Sequence, residues 1–74
     1  SAWNLVALRN DFACKPGLTQ FLKAQVSEGI VEILPDQESY KLNSFAIANA
    51  LVKIPPQVAG CKSGEQVEVL SLPL

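Results

Sequence analysis

Along most of its length the chain alternates apolar and polar positions with the period of two that a half-exposed strand requires, and a single stretch departs from that rhythm. Trp3 to Leu8 is apolar with Asn4 interposed and is predicted to be a first strand, ended by the turn formers Asn10-Asp11. Trp3 is expected in the core, because large aromatic side chains dominate burial in small domains. Residues 12–17 are predicted to be a loop, in which Pro16 presets its own backbone dihedral and Gly17 can take a positive one. In residues 19–26, Leu22, Ala24 and Val26 point one way and Phe21, Lys23 and Gln25 the other, the pattern of a strand with one buried face. Ser27-Glu28-Gly29 supplies a hairpin turn into a β-branched strand over residues 30–34, and so short a connection makes the pair antiparallel.

The departure comes in residues 37–54. Leu42, Phe45, Ala46 and Asn49 stand at i, i+3, i+4 and i+7, so one short helix is predicted within residues 39–49. Ser39 or Asn43 would cap its start with a side-chain oxygen, and Asn49 would end it, since asparagine tolerates the left-handed conformation found there. The chain then returns to strand character over residues 50–54, loops through residues 55–60, turns tightly at Lys62-Ser63-Gly64-Glu65 and closes with a strand over residues 66–72. In that last strand Val67 and Val69 face inward and Glu68 faces water, while Leu70 and Leu72 lean on further apolar surface. Five strands and one short helix make an all-β fold, a small closed or half-closed barrel.

Length narrows the functional classes. Seventy-four residues make a single domain, residues 1–74, that buries only about 60% of its unfolded surface, which leaves little room for an enclosed active site. A net charge of −1 with scattered Lys and Arg lacks the basic footprint of a nucleic-acid partner. Neither a bilayer-spanning apolar run nor a signal-peptide pattern is present, so no membrane partner is expected and the cytoplasm is the expected compartment. The sequence contains no methionine and begins Ser-Ala, as a piece excised from a longer protein would.

With no histidine, serine or cysteine nucleophiles lack their usual base, and two distant cysteines fall short of a zinc ligand set, so no catalytic residue and no metal site is expected. Cys14 and Cys61, in a chain without secretory features, are expected as free thiols. Lys23 reads in the ordinary case as a solvated strand lysine, Ser39 as a helix cap and Asn49 as a helix-terminal residue. Asp36 and Glu38 lie near each other without apolar surroundings that would tune either as a general acid.

Three segments in order carry a family resemblance: Lys15-Pro16-Gly17-x-x-x-Phe21-Leu22-Lys23-Ala24; Gln37-x-Ser39, Ser44 and Ala48-Asn49-Ala50-Leu51; and Ser63-Gly64-Glu65-Gln66-Val67-Glu68-Val69. Together they span nearly the whole chain. The pattern resembles the C-terminal domain, domain IV, of MoeA- and gephyrin-type molybdopterin molybdotransferases. The resemblance implies a barrel of the β-clip kind at the end of an elongated homodimer, lining the inter-domain cleft where molybdate is inserted into adenylylated molybdopterin. It implies a ligand-binding role for Lys23, Ser39 and Ser44, and a structural one for Gly17, Asn49 and Gly64. Lysine at position 23, where the family usually has arginine, can neutralise an anion as a point charge but lacks the bidentate fork. Ser39 can cap a helix and also contact an anion, because unpaired N–H groups at a helix start attract negative charge. Glu38 replaces a family glycine and sets a carboxylate beside that site.

On this reading the domain holds no cofactor of its own; molybdopterin, molybdate and Mg belong to the parent protein, whose other domains are this one's partners. The parent is the transferase and this piece is not catalytic by itself. The competing expectation is a protein-interaction module that accepts a peptide at a strand edge or groove, or a purely structural barrel.

Overall fold

A computed structural model describes residues 2–35, 37 and 48–73. The described residues form seven strands: β1 (Trp3–Leu8), β2 (Phe12–Ala13), β3 (Gln20–Ser27), β4 (Ile30–Ile33), β5 (Ala50–Ile54), β6 (Gly60–Cys61) and β7 (Gln66–Ser71). Five of them close into a barrel in the order β1-β4-β3-β5-β7, and β2 pairs with β6 in a separate two-stranded sheet. All contacts around the barrel are antiparallel except β1 with β4, where Ala7 and Leu8 meet Ile30 and Val31 in parallel and complete the ring.

The alternation of side chains decides what fills the ring. Leu8, Leu22, Ala24, Val31, Ile33, Ala50, Val52, Ile54, Val67 and Val69 are all buried and form one cluster. A five-stranded ring is narrow, and its waist is set where β3 meets β5: Ala24 stands directly opposite Ala50, and both are fully buried. Larger side chains flank the waist, and complete burial of a residue such as Ile54 or Val52 stabilises the fold by about 2 kcal/mol each.

The same parity corrects the expectation for Trp3. Leu8 points inward, so Trp3, five residues earlier, points outward with Leu5. Its ring lies 6.2 Å from that of Phe21, tilted by 44°, with the Lys53 ammonium 5.8 Å from the Trp3 ring centroid. Following the register, one outward row runs Trp3, Leu70, Leu51, Lys23 and the next runs Leu5, Glu68, Lys53, Phe21.

Two further expectations change. The segment 12–17 is not all loop, and the segment 55–60 not wholly free of strand, because Phe12–Ala13 pairs with Gly60–Cys61. Of the helix expected within residues 39–49, residues 39–47 lie outside the described residues, and Ala48 and Asn49 are not helical. Nor does Asn49 take the left-handed conformation: among the described residues Glu28, at φ 54°, is the non-glycine that does, beside Gly29 at 77°. Those two form the loop between paired Ser27 and Ile30, and positive φ at both positions matches the right-handed twist of the hairpin.

Candidate functional site

The candidate residues gather along β3, where two amide side chains do the work of missing strands. On the β4 edge, Pro35 ends the pairing, and Gln37 turns its side chain back into the gap. The Lys23 N–H donates to Gln37 Oε1 at 2.7 Å, while Gln37 Nε2 donates to the carbonyls of Lys23 at 2.7 Å and Leu34 at 2.6 Å. Leu34 N–H also donates to the Lys23 carbonyl at 3.0 Å. On the β5 edge the arrangement repeats with Asn49. The Val26 N–H donates to Asn49 Oδ1 at 2.7 Å and Asn49 Nδ2 donates to the Val26 carbonyl at 3.0 Å. Asn49 also donates its own N–H to the Ala24 carbonyl and accepts from Leu72 N–H through its carbonyl.

An amide presents one donor and one acceptor in the same spacing as a peptide unit, so each of these side chains extends the ladder where the main chain leaves it. Without them the Lys23 N–H would lose its bond to Gln37 and both polar groups of the Val26 backbone their bonds to Asn49, in partly buried surroundings, at about 1–3 kcal/mol for each group left wanting. The consequence is topological. Residues 37 and 49 bracket the intervening chain, and both are fastened to β3 within four residues of each other.

Lys23 itself stands on the outward face of β3, half-buried, opposite Leu51. Ser39 and Ser44 lie outside the described residues, as do Asp36 and Glu38. Among the described residues one depression of about 500 Å³ is lined by residues 11–13 and 59–62, and another of about 210 Å³ is bounded by Leu5, Lys53, Val58 and Glu68; neither is lined by Lys23. Among the described residues no group of three or more Cys, Asp or Glu side chains could hold a metal ion.

The remaining motif residues build turns. Gly17, at φ 98°, donates its N–H to the Pro56 carbonyl, and Lys15 N–H donates to Gln20 Oε1. Gly64, at φ 91°, donates to the Leu8 carbonyl, while Ser63 Oγ donates to the Arg9 carbonyl at 2.6 Å and Glu65 Oε1 accepts from Lys62 N–H at 2.7 Å. An L side chain at either glycine would be strained by its dihedral although the space beside it is open.

This combination of a closed five-stranded ring and three motif segments that hold its turns and edges is matched by the family model for the MoeA C-terminal region (domain IV) over residues 6–72. The chain belongs to that family. Among solved structures, domain IV aligns with the molybdopterin biosynthesis MoeA protein of Pyrococcus horikoshii OT3 at 27% identity and a TM-score of 0.79, covering 90% of this chain and 18% of that one. A molybdenum cofactor biosynthesis protein of Pyrococcus furiosus aligns at 22% identity and a TM-score of 0.75, over 90% of this chain and 24% of that one, and shares the fold. The domain therefore spans about a fifth to a quarter of the length of these proteins. No curated protein matches it by sequence. Among the described residues no helix of domain IV is long and apolar enough to cross a membrane.

The roles of Gln37 and Asn49 as substitute strand edges went unread in the sequence. A signal was present at Asn49: an amide between Ala48 and Ala50, both of which are buried, must find hydrogen-bond partners. Nothing comparable marks Gln37, which sits among polar neighbours.

Proposed function

We propose that this domain IV belongs to a cytoplasmic molybdenum cofactor biosynthesis protein, a molybdopterin molybdotransferase, and lines the inter-domain cleft where molybdate is inserted into adenylylated molybdopterin. The family membership over residues 6–72 carries this reading, together with the 27% identical MoeA relative of which the chain matches 18%. The domain is not catalytic alone: its partners are the other domains of the parent, assembled as a homodimer, and those domains supply the Mg and nucleotide handling. Lys23, outward on β3, contributes a point charge toward the anionic substrate, joined by Ser39 and Ser44.

Calorimetric titration of molybdopterin into the parent protein tests it. Lys23→Ala should weaken binding by up to about 1 kcal/mol, as half-exposed charge contacts do, and the loss should shrink as salt rises. Ser39→Ala should cost less, and Glu38→Gly should tighten binding by removing a like charge. Unchanged affinity in both the Lys23 and Glu38 variants, or tight binding by the 74-residue chain alone, would remove the proposed site.

A second reading is favoured by one observation. Leu5 and Phe21 are 62% and 56% exposed beside Trp3 on the outer face, an apolar surface suited to a protein partner. If the pterin titrations are null, a domain that docks another protein or stabilises the parent takes precedence.

A further inference from the structure

The small β2–β6 sheet holds two sulfur atoms that the proposed function does not use. Cys61 ends β6, opposite Phe12, and Cys14 follows β2, its N–H donating to the Ala59 carbonyl at 3.1 Å. The two residues are therefore diagonal neighbours on one face of the sheet. Their Sγ atoms lie 3.9 Å apart, both buried within the core cluster, and both thiols are free. The Cys14 thiol also donates a weak hydrogen bond to the Phe12 carbonyl at 3.8 Å. The two side chains are about equally buried, Cys14 at 9% and Cys61 at 7% exposure, but Cys61 borders both surface depressions and Cys14 neither.

We propose that Cys14 and Cys61 form an oxidisable dithiol, a site of two-electron modification in which a small peroxide enters at Cys61 and a Cys14–Cys61 disulfide results. In the first step the Cys61 thiolate attacks one peroxide oxygen. The O–O bond breaks, hydroxide leaves and takes up a proton as water, and Cys61 becomes a sulfenic acid. In the second, Cys14 sulfur attacks the Cys61 sulfur; the S–S bond forms, the S–O bond breaks, and the departing hydroxide leaves as water with the proton from Cys14. Two thiols are oxidised by two electrons and one peroxide is reduced to two waters.

The geometry requires the sulfurs to approach by roughly 2 Å to reach bonding distance, a movement that side-chain rotation and a small shift of the short sheet can share. Two residue pairs and the Cys14–Ala59 hydrogen bond join its strands, far fewer ties than in the five-stranded ring, so it yields more readily. Burial, then the neighbouring Cys14 sulfur, push the Cys61 thiol up to about 11, so thiolate is scarce near neutrality and the pair answers sustained oxidant slowly. The product would join segments 47 residues apart in sequence.

Incubation of the native protein with equimolar hydrogen peroxide, followed by mass spectrometry without reduction, tests the proposal. The expected product is a monomer lighter by about 2 Da, with Cys14 and Cys61 in one linked peptide and full reversal by dithiothreitol. Its melting midpoint should rise by roughly 5–15 °C, because the crosslink constrains the unfolded chain. The rate should climb from neutral to alkaline pH as thiolate forms. In Cys14→Ser the reaction should stop at a sulfenic acid on Cys61 that a dione reagent traps, whereas Cys61→Ser should leave Cys14 unlabelled over the same period. Three outcomes overturn the proposal, and each is read on the unsubstituted protein: thiols inert while folded, gains of about 16 or 32 Da per sulfur with no link, or crosslinks only between molecules.

Discussion

The five-stranded ring and the two-stranded sheet beside it are built from the same residue types, yet only the ring imposes its own geometry. Each ring strand is at least four residues long and has two partners, so an inward side chain is fixed by its neighbours on both sides. The β2–β6 sheet has two residues in each strand and one partner each, and it exists because the chain on either side is held elsewhere. Gly17 is tied to Pro56 and Ser63 to Asp11 and Arg9, and between those ties the two short strands meet. Strand identity in the ring comes from pattern, and in the small sheet from anchorage.

The sharpest way to break the comparison is to remove volume from each region. Ile54 is 1% exposed at the end of β5, and Ile54→Ala leaves a cavity that the narrow ring closes poorly, at about 3–4 kcal/mol. Phe12, only partly buried against the core, should cost roughly half as much when cut to alanine, since water and shifted chain can replace it. Urea unfolding of both variants measures the pair. Equal losses would mean that the small sheet is as integral to the fold as the ring.

That difference also explains what the sequence discloses. Alternation in Phe21-Leu22-Lys23-Ala24 assigns inward and outward faces before any coordinates, and it places Lys23 on the surface, because period two is a property of the strand alone. The same rule places Trp3 outside, and the expectation of a buried tryptophan fails because residue type was weighed above parity. Phe12-Ala13 and Gly60-Cys61 are too short to show any period, so their pairing is invisible without knowing what holds their flanks. Of the candidate site, the outward charge at Lys23 was legible. The amide bridges of Gln37 and Asn49 were not, since which backbone groups a side chain meets depends on where distant strands end.

A smaller break tests those bridges, which belong to the ring but depend on single side chains as the small sheet does. Asn49→Ala removes both hydrogen bonds to Val26 and leaves its N–H and carbonyl without protein partners, so a loss of about 2–3 kcal/mol is expected. Asn49→Asp is the informative companion. It keeps an acceptor for the Val26 N–H but sets a second oxygen against the Val26 carbonyl, so it should recover little of the loss. Thermal melts of the two variants decide it, and full recovery in the aspartate variant would show that only the Val26 N–H bond matters.

The smallest effect is expected from the small sheet itself, through pH. Cys61 is raised from an ordinary value of 9.0 to about 11, first by burial, then by the Cys14 sulfur and last by the Glu65 charge. The folded state therefore holds the proton more tightly than the unfolded chain does. Below pH 9 the thiol is protonated in both states and its contribution to stability is fully present. Between pH 9 and about 11 the unfolded chain ionises while the folded one does not, so stability falls as pH rises and is lost through the folded value. The rise from 9.0 to about 11 corresponds to at most about 2.7 kcal/mol, and local opening of the short sheet, which lets water reach the sulfur, should reduce this to about 1–2 kcal/mol. Chemical denaturation at pH 8 and pH 10.5 under reducing conditions measures the slope, and Cys61→Ala should flatten it by removing the titrating group, whatever its own cost in packing. A slope of equal size in the alanine variant would assign the alkaline loss to other groups, and would mean that the Cys61 sulfur is as open to water in the folded protein as in the unfolded chain.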